Sequence, residues 1–146
     1  MKNEFCSSTG FLIHEVVAFM DNQAQKILQT KLDISYFQFL ILCMVDSNPE
    51  ATQKDLSVML KYTEAAVSKQ VEILRKSGFL DIQVDKNNRR QHILRLTDLG
   101  TQIVQKAYKL LNDAGSVFFQ TLEKAEQKVF NKSLLKLSKF IQSYPN

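Results

Sequence analysis

The apolar positions of this chain change period in a fixed order. Over residues 11–28, Ile13, Val16, Val17, Met20, Ala24, Ile27 and Leu28 recur with the period of a helix. Ser35 then offers an N-cap, and Gln38 three residues on completes a capping box. Residues 37–45 are apolar almost all round, as in a helix buried on most faces. Ser47-Asn48-Pro49 ends it. Thr52 with Asp55 opens a short amphipathic helix carrying Leu56, Met59 and Leu60. Lys61-Tyr62 makes a turn, and Thr63 caps the next helix, residues 64–77. There Val67, Val71 and Leu74 recur at i, i+4 and i+7 and face the core. Gly78 stops that helix.

The period then drops to two. Residues 79–84 and 91–96 read as strands, with Ile82/Val84 and His92/Leu94/Leu96 alternating. Between them Asp85-Lys86-Asn87-Asn88 is rich in turn formers. Thr97 caps a helix from 98 to about 114 carrying Ile103, Val104, Ala107, Leu110 and Leu111, which Gly115 bends or ends. A last helix, about 122–141, aligns Phe130, Leu134, Leu137 and Ile141 on one stripe. The fold class is mostly α (α+β). Its expected parts are an N-terminal helix (1–34), a helix-turn-helix with hairpin (35–97) and C-terminal helices (98–146). The outer helices carry more apolar surface than so small a core absorbs. Ile13, Val17, Phe130, Leu134, Leu137 and Ile141 are therefore expected to self-associate as a homodimer.

Charge gives this order a meaning. The chain holds 19 Lys+Arg and 15 Asp+Glu. Residues 54–95 hold nine of the basic and five of the acidic side chains, and so the whole net charge of +4. A helix followed by a hairpin with a basic tip is how a winged helix-turn-helix grips double-stranded DNA, and local basic excess is its electrostatic footprint. The candidate DNA-binding residues are Thr63, Ala65, Ala66, Ser68, Lys69, Arg75, Lys86, Arg89 and Arg90. Small Ala65 and Ala66 permit close approach to base edges, while Ser68 and Lys69 supply donors.

Other functions find little support. His14 and His92 are far apart, and the four glycines form no phosphate-binding loop. No His/Cys/carboxylate cluster has metal-ligand spacing. An enzyme, a metal site and a bound cofactor are therefore not expected. No apolar run approaches the ~18–20 residues of a membrane span, and no secretion signal is visible, which implies a cytoplasmic protein. The rival is a winged helix that binds protein; basic residues in both helix and hairpin favour DNA. Cys6 and Cys43 are the only cysteines. Cys43 lies in the apolar second helix and reads as an inert small hydrophobe. Cys6 precedes the first helix and is the one candidate redox residue.

Three stretches carry a family resemblance. Residues 37–42 (Phe-Gln-Phe-Leu-Ile-Leu), residues 67–80 (Val-Ser-Lys-Gln-Val-Glu-Ile-Leu-Arg-Lys-Ser-Gly-Phe-Leu) and residues 89–100, which end in Leu96-Thr97-Asp98-Leu99-Gly100, follow one another at specific spacing. The chain resembles the MarR (multiple antibiotic resistance regulator) transcription factors over nearly its full length. The resemblance implies a homodimer with interlocked terminal helices and two winged lobes on a pseudo-palindromic operator. It implies a regulator, in the repressor role, whose DNA affinity responds to a small ligand or a redox signal. For a small aromatic ligand, Phe11, His14, Phe37 and Phe39 are the candidate walls. The family's wing carries Asp-x-Arg; here Arg90 matches the arginine, and Asn88 stands where the aspartate would be. Asn88 can accept a hydrogen bond but cannot form an ion pair.

Overall fold

The computed structural model describes residues 8–84 and 92–144. Cys6, the hairpin turn 85–88, and with it Lys86, Arg89, Arg90 and Gln91, lie outside the described residues. Eight elements follow in order: α1 (Thr9–Leu32), α2 (Tyr36–Ser47), α3 (Gln53–Leu60), α4 (Glu64–Lys76), β1 (Leu80–Val84), β2 (His92–Leu96), α5 (Asp98–Phe119) and α6 (Lys124–Ser143). The chain divides after Leu111, inside α5, into two compact units.

Side-chain caps set the helix starts of the first unit. Ser8 accepts from the Phe11 N–H and starts α1. Reciprocal Ser35/Gln38 and Thr52/Asp55 boxes start α2 and α3, and the Thr63 hydroxyl accepts from the Ala66 N–H at the start of α4. Each satisfies N–H groups that a helix leaves open at its first turn. α1 runs past its expected end at 28, because Leu32 as well as Leu28 packs on the core. Asp33 then closes it in the left-handed region at φ 52°, its N–H returning to the Leu28 carbonyl.

The core of this unit draws on every element. Leu28 from α1, Ile41 and Leu42 from α2, Leu56 from α3, and Val67, Val71 and Leu74 from α4 are all sealed from solvent. Leu80 and Leu94 from the hairpin, with Val104 and Ala107 from α5, complete it. α1 and the first half of α5, expected as dimerisation elements, thus also supply core side chains.

One junction ties three elements together. At the end of α4 the Phe79 N–H donates to the Leu74 carbonyl (2.9 Å) and the Gly78 N–H to that of Arg75 (3.0 Å). Gly78 sits at φ +76°, so this is a Schellman stop whose left-handed residue favours glycine. Thr97 then reaches back: its hydroxyl donates to the Gly78 carbonyl at 2.6 Å, and its N–H to that of Phe79 at 3.1 Å. The same hydroxyl accepts from the Gly100 N–H at 2.9 Å and so caps α5. α5 lies so close that a Cβ on Gly100 would meet the Phe79 carbonyl oxygen at 2.1 Å. Gly115 differs. α5 continues through it to Phe119, beyond the expected stop near 114. A helical glycine costs only ~1 kcal/mol, and Phe118 and Phe119 that follow are half-buried and pack their rings.

The second unit is a helical hairpin. The Phe119 ring stands 5.2 Å from Phe118 and 6.1 Å from Phe130. The Gln127 amide donates to the carbonyls of Phe119 (3.0 Å) and Leu122 (2.9 Å), closing the turn into α6. α6 contains no buried residue.

The two glycines give a paired prediction. Gly100→Ala should destabilise the protein by ~1–3 kcal/mol, the usual range for overpacking against a rigid neighbour. Gly115→Ala, with nothing within 4 Å of the new methyl, should stabilise by about 0.5–1 kcal/mol. Urea unfolding of the two variants beside wild type measures both; equal shifts would show that the Gly100 contact is not tight.

Candidate nucleic-acid interface

The turn between α3 and α4 is fixed from both sides. Lys61 takes left-handed geometry at φ 56° and ψ 40°. The Tyr62 N–H donates to the Ser57 carbonyl at 3.1 Å, and the Phe37 ring of α2 stacks on Tyr62 with centroids 4.0 Å apart. α4 therefore leaves the turn in a set direction, with Val67, Val71 and Leu74 pointing inward. Thr63, Ala65, Ser68, Lys69 and Arg75 are consequently exposed, and Ala66 is half-buried. The exposed face begins at the helix N-terminus, where N–H dipoles favour negative charge.

Charge on that face is partly neutralised from within. Arg75 donates Nε and an Nη to the two oxygens of Glu72, each at 2.9 Å, and Lys76 Nζ lies 3.6 Å from the same carboxylate. The Arg75 hydrogen bonds hold the Glu72 carboxyl below its ordinary range, and the guanidinium is held further above its own. The pair is solvent-exposed, so it orients more than it stabilises. The guanidinium keeps donors free beyond the two it uses. Lys69 forms no ion pair among the described residues.

The hairpin is anchored at its root and open toward its tip. β1 and β2 pair antiparallel with Leu80 opposite Leu96, Ile82 opposite Leu94 and Val84 opposite His92. Leu80 and Leu94 are sealed, Ile82 and Leu96 pack beside them, and Val84 and His92 are exposed. The same apolar face thus runs from core into solvent as it approaches the basic turn. On the other face Asp81 stands opposite Arg95, a cross-strand pairing of opposite charge. The Leu94 N–H also donates to the Ala51 carbonyl at 3.2 Å, which stitches the hairpin to the segment before α3.

The remaining candidates fall elsewhere. Phe11 is half-buried and His14 exposed, both on α1. Phe37 packs on Tyr62, while Phe39 is buried and meets the Tyr108 ring edge-on at 5.5 Å. Cys43 is buried beside Tyr108, and burial pushes its thiol above the ordinary value. Among the described residues no group of His, Cys, Asp or Glu could hold a metal ion, and no helix is long and apolar enough to cross a membrane.

A buried-stripe helix after a tight turn, followed by a core-anchored hairpin, defines a winged helix-turn-helix protein. The chain belongs to the winged helix DNA-binding domain family, whose model matches residues 37–114, and it has the fold of the MarR-type regulators. It is 27% identical over 124 residues to the HTH-type transcriptional regulator YdcH of Bacillus subtilis, covering 82% of this chain and 84% of that one. Its fold matches apo MarR from E. coli with a TM-score of 0.81 at 24% identity, over 89% of this chain and 96% of that one. It also matches a cysteine-to-serine variant of E. coli MarR complexed with operator DNA, with a TM-score of 0.73 at 25% identity over 88% and 91% of the two chains.

Sequence reasoning passed over the clamp of Glu72 on Arg75, although their i,i+3 spacing signals it. The run Leu96-Thr97-Asp98-Leu99-Gly100 owes its glycine to the approach of α5 to Phe79.

The state of Cys43 is open to measurement. In a Cys6→Ser variant the lone Cys43 thiol should react with a disulfide reagent on the order of tenfold or more slowly in the native protein than in the unfolded chain, because thiolate and access are both withheld. Equal rates would mean that the α2 thiol is neither buried nor suppressed.

Proposed function

We propose that the chain acts as a homodimeric repressor that places α4 in the major groove of each half of a pseudo-palindromic operator, with the hairpin turn against the flanking minor groove. The observation that carries this reading is the exposed face of α4, with Thr63, Ala65, Ser68 and Lys69 on a helix whose opposite side is sealed in the core. Concentration of the net charge in residues 54–95 supports it. Arg75, oriented by Glu72, is suited to a phosphate beside the groove. Arg90 is the wing residue for an A·T-rich minor groove, where negative potential draws an arginine. Occupying a promoter is enough to repress it, so repression asks nothing of the chain beyond this surface.

Dimerisation is supported by apolar surface without a cover. On α1, Ile13 and Val17 are half exposed. On α6, Leu134, Leu137 and Ile141 are 44%, 52% and 68% exposed, on a 20-residue helix with nothing buried. A stripe of this length is more apolar surface than a monomer ordinarily leaves in water.

The dimer reading is tested by light scattering at micromolar concentration. The expected mass is that of two 16.8 kDa chains, and Leu137→Asp should lower it and weaken DNA binding together. A single-chain mass for wild type would overturn it. For DNA, Lys69→Ala should reduce the slope of log affinity against log salt by ~0.9 per subunit, the loss of one phosphate contact. Ser68→Ala, which removes a neutral donor, should cost less. Arg90→Ala should weaken operator binding and blunt any preference for A·T-rich flanks while leaving the mass unchanged. Normal affinity for both Lys69→Ala and Arg90→Ala would favour a winged helix that binds protein.

A further inference from the structure

The first turn of α2 is hydrogen-bonded to two other helices. Gln38 Oε1 accepts from the Ser35 N–H at 2.9 Å, while the Ser35 hydroxyl accepts from the Gln38 N–H at 3.1 Å. A backbone N–H can only donate, so the capping box fixes which end of the Gln38 amide points inward. Nε2 is then aimed outward, and it donates to Gln70 Oε1 of α4 at 3.0 Å. Both amides are partly buried. On the other side of the same turn, the Tyr36 N–H donates to Gln25 Oε1 of α1 at 2.8 Å. α1 and α4 are thus held by directional bonds to one capped helix end.

Apolar packing of Val67, Val71 and Leu74 secures α4 against the core but is non-directional. A helix so held keeps much of its burial through a small roll about its axis. A hydrogen bond does not, because it weakens steeply with angle. Gln70 lies on the flank of α4, one residue before Val71, where such a roll moves it most directly relative to α2. We propose that Gln38 and Gln70 are positioning residues for DNA recognition: the hydrogen bond between their side-chain amides fixes the roll of α4 and thereby the half-site separation that the protein accepts. This rests on the reading of α4 as the recognition helix of a dimer.

The test uses the full chain and duplexes selected from a random pool by the wild-type protein, together with the same duplexes carrying one base pair more or less between half-sites. Gln70→Met, Gln38→Met and the double variant are compared with wild type for affinity on all three spacings, with thermal unfolding as a control on folding. Gln70→Met should lose about 5-fold in affinity on the selected spacing, the scale of one hydrogen bond, and should discriminate less among the spacings. In the Gln38→Met background the further change Gln70→Met should cost little. Gln70→Glu, which still accepts from Gln38 Nε2, should retain the discrimination even if its added charge weakens binding to every duplex. An equal loss on all spacings that persists in the Gln38→Met background would overturn the proposal and make Gln70 a direct DNA contact. Unchanged spacing preference in Gln70→Met, or its loss in Gln70→Glu, would overturn it as well. Failure of wild type to select any duplex would instead refute the DNA reading itself, and this inference with it.

Discussion

α4, the hairpin and α5 meet where there is no room for a side chain. Gly100 stands against the Phe79 carbonyl, and Thr97 bonds to both residues of the turn that ends α4. A shift of α5 at this point is felt at once by the last turn of α4 and the first residue of β1. The close approach is possible only without a Cβ at 100 and only if Gly78 takes the left-handed conformation. The last turn of α4, the root of the hairpin and the start of α5 are joined through this contact.

Around that junction the lobe separates its tasks by face. Val67, Val71 and Leu74 hold α4 in the core, which leaves Thr63, Ala65, Ser68 and Lys69 outward. Leu80 and Leu94 anchor the hairpin while its apolar face emerges into solvent at Val84 and His92. Directional bonds at the capped start of α2 add what hydrophobic burial cannot supply, a fixed orientation. The stripe of α6 is of another kind: Leu134, Leu137 and Ile141 stay exposed on an amphipathic helix that buries no residue.

Much of this was legible because it is local. The Ser35/Gln38 and Thr52/Asp55 boxes, the Thr63 cap, the i, i+4, i+7 stripe of α4 and the alternation of both strands lie within a few residues of themselves, and the structure places each as the pattern predicts. What escaped the sequence depends on segments that meet in space. The Gln38–Gln70 bond joins residues 32 apart, and the need for glycine at 100 arises only when α5 lies on Phe79. Gly115 misled for a simpler reason. A helical glycine is a modest penalty, and a long apolar helix absorbs it. The wing tip with Arg89 and Arg90 lies outside the described residues, so its role rests on its sequence alone.

The most direct test is a hydroxyl-radical footprint of the full-length protein on a duplex selected from a random pool. The expected result is two protected windows related by a dyad and about one helical turn apart, centre to centre, with added protection in the minor groove on the outer side of each. A single window, or protection without a dyad, would contradict a dimer that presents α4 twice. Protection of no sequence at all would contradict the assignment of α4 to DNA.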